Sequence, residues 1–163
     1  MRSLVLIAHN LRSIHNVGSL LRTAEGLGVE QVYLTGYTPY PSRSGDKRLP
    51  HLANKLDKQL AKTALGAEKQ LGVHTEIEEI ILMLQGKGYK IAAVEQIDGS
   101  VKLPDLKPTS KLAVIVGREV EGIESEIIEL CDFAVEIPMF GKKESFNVVQ
   151  AAAMVLYHCR FAN

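Results

Sequence analysis

The chain has 163 residues, a formal net charge of zero, and 46% hydrophobic against 23% charged residues. That suits one domain with a full core. It excludes a disordered polar chain and a protein that holds nucleic acid by its overall charge.

No apolar run reaches membrane-spanning length, and Met1-Arg2 leads straight into a strand pattern instead of a signal peptide, so a cytoplasmic protein without a membrane is expected. Cys131 and Cys159 lie far apart in apolar contexts with no ligand spacing, which reads as two buried free thiols and no metal site.

In chain order, Ser3 to Ala8 is short and apolar enough for a buried strand. Val17 to Leu27 has helical spacing, with Leu20, Leu21, Ala24 and Leu27 on one side, and Gln31 to Thr35 returns to strand character. Residues 36–50 carry Pro39, Pro41, Gly45 and Pro50 and form a long loop of the kind that carries function. Helices are expected over 51–70 and 75–86, and a strand over Lys90 to Glu95. A Pro-containing connection follows from Asp98 to Ser110, then the clearest buried strand, Lys111 to Val116. Glu124 to Leu130 reads as a helix, Phe133 to Ile137 as a strand, and Asn147 to Phe161 as a final helix. Strands alternating with helices predict a single α/β domain over residues 1–163, its parallel sheet covered on both faces.

The charge is uneven. Arg43, Lys47, Arg48, Lys55, Lys58, Lys62 and Lys69 face only Asp46, Asp57 and Glu68 between residues 43 and 69, a local excess of four. Such a patch can hold phosphates at a neutral pI, although on charge alone a solvated helix face carrying its usual lysines is the favoured reading.

Three constellations carry chemistry. The first, Asn10 to Arg22, places Arg12 in a loop, Asn16 where it can cap the helix, and Arg22 six residues later; His15 reads as a surface or hydrogen-bonding residue. The second, Val116-Gly117-Arg118-Glu119-Val120-Glu121-Gly122, joins a buried strand to a helix. Its glutamates disfavour a phosphate cradle and suit an adenine or a cationic group, though an ordinary strand-to-helix turn explains them too. The third, Ile137-Pro138-Met139 through Ser145-Phe146-Asn147-Val148, brings a hydroxyl, an amide and two lysines to a strand's carboxyl end, with Ser145 a candidate helix cap. No G-x-G-x-x-G or G-x-x-x-x-G-K-[ST] loop is present, which argues against a generic nucleotide-binding enzyme.

In order and spacing, these three blocks resemble the SpoU (TrmH-like) family of SPOUT methyltransferases, which move a methyl group from S-adenosylmethionine to a ribose 2′-oxygen of RNA. The resemblance spans nearly the whole chain; one departure is Val149-Gln150, where Ser-Val commonly follows the Asn-Val of the third block. It implies a C-terminal trefoil knot, which general topology rules disfavour, and a homodimer.

It also implies roles. The cofactor would be held around Glu95, Gly117, Ile137, Met139, Ser145 and Phe146. Arg22 would be the principal catalytic residue with Asn16 and Glu119 nearby, and Ser145 and Asn147 would shape the acceptor site. Arg12 would contact phosphate, and Arg43, Lys47 and Arg48 are further RNA contacts drawn from the basic stretch. A guanidinium keeps its proton, so Arg22 is read as a positioning and charge-stabilising group instead of a base. Transfer RNA is favoured slightly over ribosomal RNA. The rival from another class is a non-catalytic RNA-binding or ribosome-assembly protein on the same fold.

Overall fold

The computed structural model describes residues 1–68 and 72–162, so Lys69 and the end of the expected 51–70 helix lie outside the described residues. Among those residues the elements are β1 (Ser3–His9), α1 (Ile14–Gly26), β2 (Gln31–Thr35), α2 (Pro50–Ala64), β3 (Gly72–Thr75), α3 (Ile77–Gly86), β4 (Lys90–Val94), β5 (Val101–Lys102), a 3-10 turn (Leu103–Asp105), β6 (Lys111–Val116), α4 (Ser125–Ile128), β7 (Phe133–Glu136) and α5 (Val148–Phe161). The strands form one sheet in the order β3-β2-β1-β6-β4-β7-β5. Every pairing is parallel, as the alternation of elements predicts.

Parallel strands are covered on both faces because each crossover lays a helix on the sheet. The two central strands show it residue by residue. Leu4, Leu6 and Ala8 of β1 and Leu112, Val114 and Val116 of β6 face one core, with the apolar sides of α1, α2 and α5. Val5 and Ile7 of β1 and Ala113 and Ile115 of β6 face the other, closed by Ile77, Ile80, Ile81 and Leu84 of α3 and by Ile127. The two strands pair from Ser3 opposite Lys111 to Ala8 opposite Val116, so their carboxyl ends finish level. The chain ends are clamped together: Arg160 donates from Nε to the Leu27 carbonyl at 2.9 Å and from its terminal nitrogens to the carbonyls of Arg2 and Gly28, each at 2.6 Å.

The structure departs from the expected elements in four places. First, α1 starts three residues before Val17, because Ser13 and not Asn16 is its cap: the Ser13 hydroxyl accepts from the Asn16 backbone amide at 3.2 Å. Second, Asn147 and not Ser145 caps α5, its Oδ1 accepting from the Val149 amide at 2.9 Å. Third, α2 ends at Ala64, capped by Leu65 with a left-handed φ of 52°, and β3 sits between the two expected helices. Fourth, the expected 124–130 helix is only the single turn α4, and the 98–110 connection contains β5.

Helices α1 and α2 meet at Gly18. A Cβ there would lie 2.0 Å from the Thr63 hydroxyl oxygen and 2.8 Å from the Leu60 carbonyl oxygen. In an open helix Gly→Ala gains about 1 kcal/mol, whereas overpacking a close contact costs roughly 1–3 kcal/mol. Gly18→Ala is therefore expected to lower unfolding stability in urea; a gain in stability would show that the helices separate freely.

Candidate active site

Because the sheet is parallel and β1, β6, β4 and β7 are consecutive, the loops leaving these strands converge at one edge, where ligands of open α/β sheets bind. A cavity of about 310 Å³ opens there. Its floor is the apolar strand ends Val94, Val116 and Val135 with Ile137, and its walls include Gly117, Glu119, Ser145 and Phe146.

The loop Gly117–Ile123 is held in shape by carboxylates from outside it. Oε1 of Glu95, just past β4, accepts from the Ile123 amide at 2.7 Å. The same oxygen would lie 2.4 Å from a Cβ on Gly122, whose φ is +71°, so glycine is required there by backbone and by space. On the far side, the Arg118 Nε donates to the Gly122 carbonyl at 3.1 Å, and its terminal nitrogen approaches Glu124 at 3.4 Å.

Glu124 in turn belongs to a polar cluster, half-buried at Glu124 and Asn10 and buried at His9 and Thr35. The Tyr37 backbone amide donates to Asn10 Oδ1 at 3.1 Å, which fixes the amide orientation; Asn10 Nδ2 then donates to Glu124 Oε1 at 2.9 Å. Glu124 Oε2 is buried without a hydrogen-bond partner among the described residues, and the ring Nε2 of His9 lies 3.2 Å from it. His9 Nδ1 is 2.7 Å from the buried Thr35 hydroxyl. His9 Nε2 also lies 3.0 Å from Asn10 Nδ2, so the ring nitrogen sits between an amide donor and a carboxylate acceptor.

Burial lowers the His9 pKa from 6.5 against the opposing pull of Glu124 and Glu78, with Arg118 adding to the lowering. Burial pushes the Glu124 carboxyl up, but its own backbone amide, Asn10, His9 and Arg118 outweigh this and leave it below the usual carboxylate range.

The site residues expected from the sequence fall into three groups. Glu95, Gly117, Ile137, Ser145 and Phe146 all line the cavity; Met139 is half-buried in the same loop but is not part of the lining. Asn16, Glu119 and Asn147, far apart in sequence, form a chain: Asn16 Nδ2 donates to Glu119 Oε1 at 3.0 Å, and Asn147 Nδ2 donates to Asn16 Oδ1 at 3.4 Å. Arg22 is not brought to the cavity. It is exposed on α1, about 120° round the helix from Asn16, and makes no hydrogen bond or ion pair with the described residues.

Of the expected RNA contacts, Arg12 is 70% exposed and 3.4 Å from Glu121; Arg43 and Lys47 are exposed. Arg48 is engaged internally. Its guanidinium chelates Asp46, donates to the Tyr40 carbonyl at 3.1 Å and lies 3.9 Å over the Tyr40 ring. Hydrogen bonds from Arg48 hold the Asp46 carboxyl down at about 2.

The other face of that ring stacks on His74 at 4.0 Å. Both cysteines are free, and burial pushes both thiols up to about 11, so neither supplies a nucleophile. Sequence reading misses the His9–Asn10–Glu124 cluster, because nothing local marks two residues 114 apart that meet only when β1 and β6 pair.

A sequence model of the SpoU rRNA methylase family matches residues 3–157. The chain belongs to the SpoU rRNA methylase family. It is 31% identical over 157 residues to a Staphylococcus haemolyticus protein named for the TrmH family of tRNA/rRNA methyltransferases, covering 95% of this chain and 57% of that one. It thus spans little more than half the length of that relative.

The AdoMet-bound rRNA methyltransferase from Sinorhizobium meliloti superposes with a TM-score of 0.79 at 19% identity, over 97% of this chain and 56% of that one. A structure concerned with the 2-OH methylation of C/U34 on tRNA gives a TM-score of 0.74 at 20% identity, over 97% of this chain and 94% of that one. At these identities the likeness is one of fold: the chain shares the parallel-sheet α/β fold of these methyltransferase structures.

The buried His9 makes stability depend on pH. The folded state holds the imidazole neutral and the unfolded chain takes up its proton first, so this contribution is complete above 6.5 and is lost as pH falls through the lower folded value. Urea unfolding at about pH 7.5 and about pH 5.5 is expected to show a smaller drop for His9→Gln than for the wild type; equal drops would place the sensitivity elsewhere.

Proposed function

We propose that the chain is an S-adenosylmethionine-dependent RNA methyltransferase acting on a ribose 2′-hydroxyl, with transfer RNA favoured slightly over ribosomal RNA. The observation that carries this reading is the chain of contacts Asn147–Asn16–Glu119 at the rim of a cavity whose lining is apolar strand ends, loop backbone and an aromatic ring. Family membership and the fold support it, and so do relatives named for methyl transfer to tRNA and rRNA. A dimer and a C-terminal knot remain part of the proposal, as does one methyltransferase domain over the whole chain.

The donor set fits the cofactor. Val94, Val116, Val135 and Ile137 offer an apolar slot for an adenine, Gly117 offers loop backbone, and Phe146 supplies a ring. Ser145 adds a hydroxyl, and Met139 lies in the same loop outside the lining. Glu95 contributes chiefly by shaping the loop, since one carboxylate oxygen already serves the Ile123 amide. When bound, S-adenosylmethionine supplies a methyl carbon made electrophilic by its sulfonium.

The protein's task is then alignment and charge stabilisation. Glu119 fixes the Asn16 amide, and Asn147, held by its capping bond to Val149, fixes the other end of that amide. This leaves a rigid polar rim against which a ribose can be oriented. Arg22 stands off from the cavity, so its role falls on the RNA side: it holds an acceptor phosphate and offsets negative charge as the 2′-hydroxyl loses its proton to a phosphate or to water. Arg12 is a second phosphate contact.

Incubation with methyl-labelled cofactor and unfractionated tRNA or rRNA, followed by nucleoside analysis, tests the reaction: 2′-O-methylnucleosides are expected, and base methylation or no incorporation contradicts it. Arg22→Ala is expected to lower turnover by at least ~100-fold while leaving cofactor affinity within about threefold, as for a group that acts only on the acceptor. Lost cofactor binding in that variant would refute the assignment.

A further inference from the structure

We propose that the outermost face of α2 is a docking track for the phosphate backbone of RNA, formed by His51, Lys55, Lys58 and Lys62; its placement beside the site rests on the methyltransferase reading above. These residues are spaced by four, three and four positions, which puts them on one line along the helix. The line lies opposite the buried residues Ala53, Leu60 and Ala64, so all four side chains are exposed. It runs for about 16 Å, long enough to meet several phosphates of one strand.

The face carries one sign of charge. The only acid in α2, Asp57, is half-buried and turned to the preceding loop, where it takes the Ser42 backbone amide at 2.8 Å and the Ser42 hydroxyl. Lys55, Lys58 and Lys62 have no ion pair or side-chain hydrogen bond with the described residues. A solvated helix face is commonly laced with opposite charges four residues apart; here like charges stand at that spacing, an arrangement that an anionic partner relieves.

The track also leads somewhere. The Thr63 hydroxyl donates to the His15 carbonyl at 3.3 Å, so Lys62 ends one residue from the contact that joins α2 to the first turn of α1, next to Asn16. At its other end α2 follows the loop that carries the exposed Arg43 and Lys47. No exposed aromatic interleaves the lysines along the line, so the track positions RNA without reading its bases.

The test uses the whole chain and the variant Lys55→Ala/Lys58→Ala/Lys62→Ala, which keeps good helix formers on the exposed face. The control is Lys87→Ala/Lys102→Ala/Lys107→Ala, which removes the same charge elsewhere. Polarisation of labelled unfractionated tRNA, measured over a salt series, is expected to show at least ~10-fold weaker binding for the α2 variant. The slope of log affinity against log salt should be shallower by roughly 2–3, with the control unchanged.

Equal losses in the two variants, or an unchanged slope in the α2 variant, overturn the proposal; so does a wild-type protein that binds S-adenosylmethionine but no tRNA. If the track binds tRNA with the expected losses while no S-adenosylmethionine binds, the docking surface stands and the methyltransferase reading fails.

Discussion

The Glu95 carboxylate beneath Gly122 is the contact on which the site depends. It holds the loop after β6 from below through the Ile123 amide, and it excludes any side chain at Gly122. Arg118 and Glu124 hold the same loop from the other side. Between these supports the backbone of Gly117 and the side chain of Glu119 face the cavity in a fixed arrangement, so a ligand meets a surface whose ordering cost is met in folding. Glu95 accepts from the Ile123 amide and Glu124 from Asn10 Nδ2, while Arg118 donates to the Gly122 carbonyl, so each charged group is tied to another element or to the loop itself.

The fold makes that precision available. Two apolar cores, one on each face, fix β1 and β6 against slippage, since a one-residue slip would exchange the residues facing them. The all-parallel order then brings the loops after β1, β4, β6 and β7 to one edge. Polar side chains at that edge tie the loops to one another: Asn10 to Glu124, Asn16 to Glu119, Asn147 to Asn16. The Arg160 clamp closes the opposite side by joining α5 to the residues around β1.

Much of this is legible in the sequence, for reasons that can be named. β1 and β6 stand out because burial on both faces makes them uninterrupted apolar runs. The family's motifs single out six cofactor positions, and five of the six line the cavity. The short strands β3 and β5 escape notice because a four-residue and a two-residue strand carry too few alternating positions to show a period. Both helix caps are misplaced when read locally, since Ser13, Asn16, Ser145 and Asn147 are all good capping types and only the backbone decides among them. Arg48 looks like a phosphate ligand in a basic stretch, yet Asp46, two residues earlier, and the Tyr40 ring engage it. The His9–Glu124 contact is invisible until two strands are paired.

The most direct measurement is calorimetric titration of the folded protein with S-adenosylmethionine and, separately, with S-adenosylhomocysteine. A cavity shaped in advance by Glu95 and Glu124 predicts one site per chain for both ligands, with affinity of order micromolar, about −8 kcal/mol. Absence of binding by either ligand to demonstrably folded protein would contradict the account.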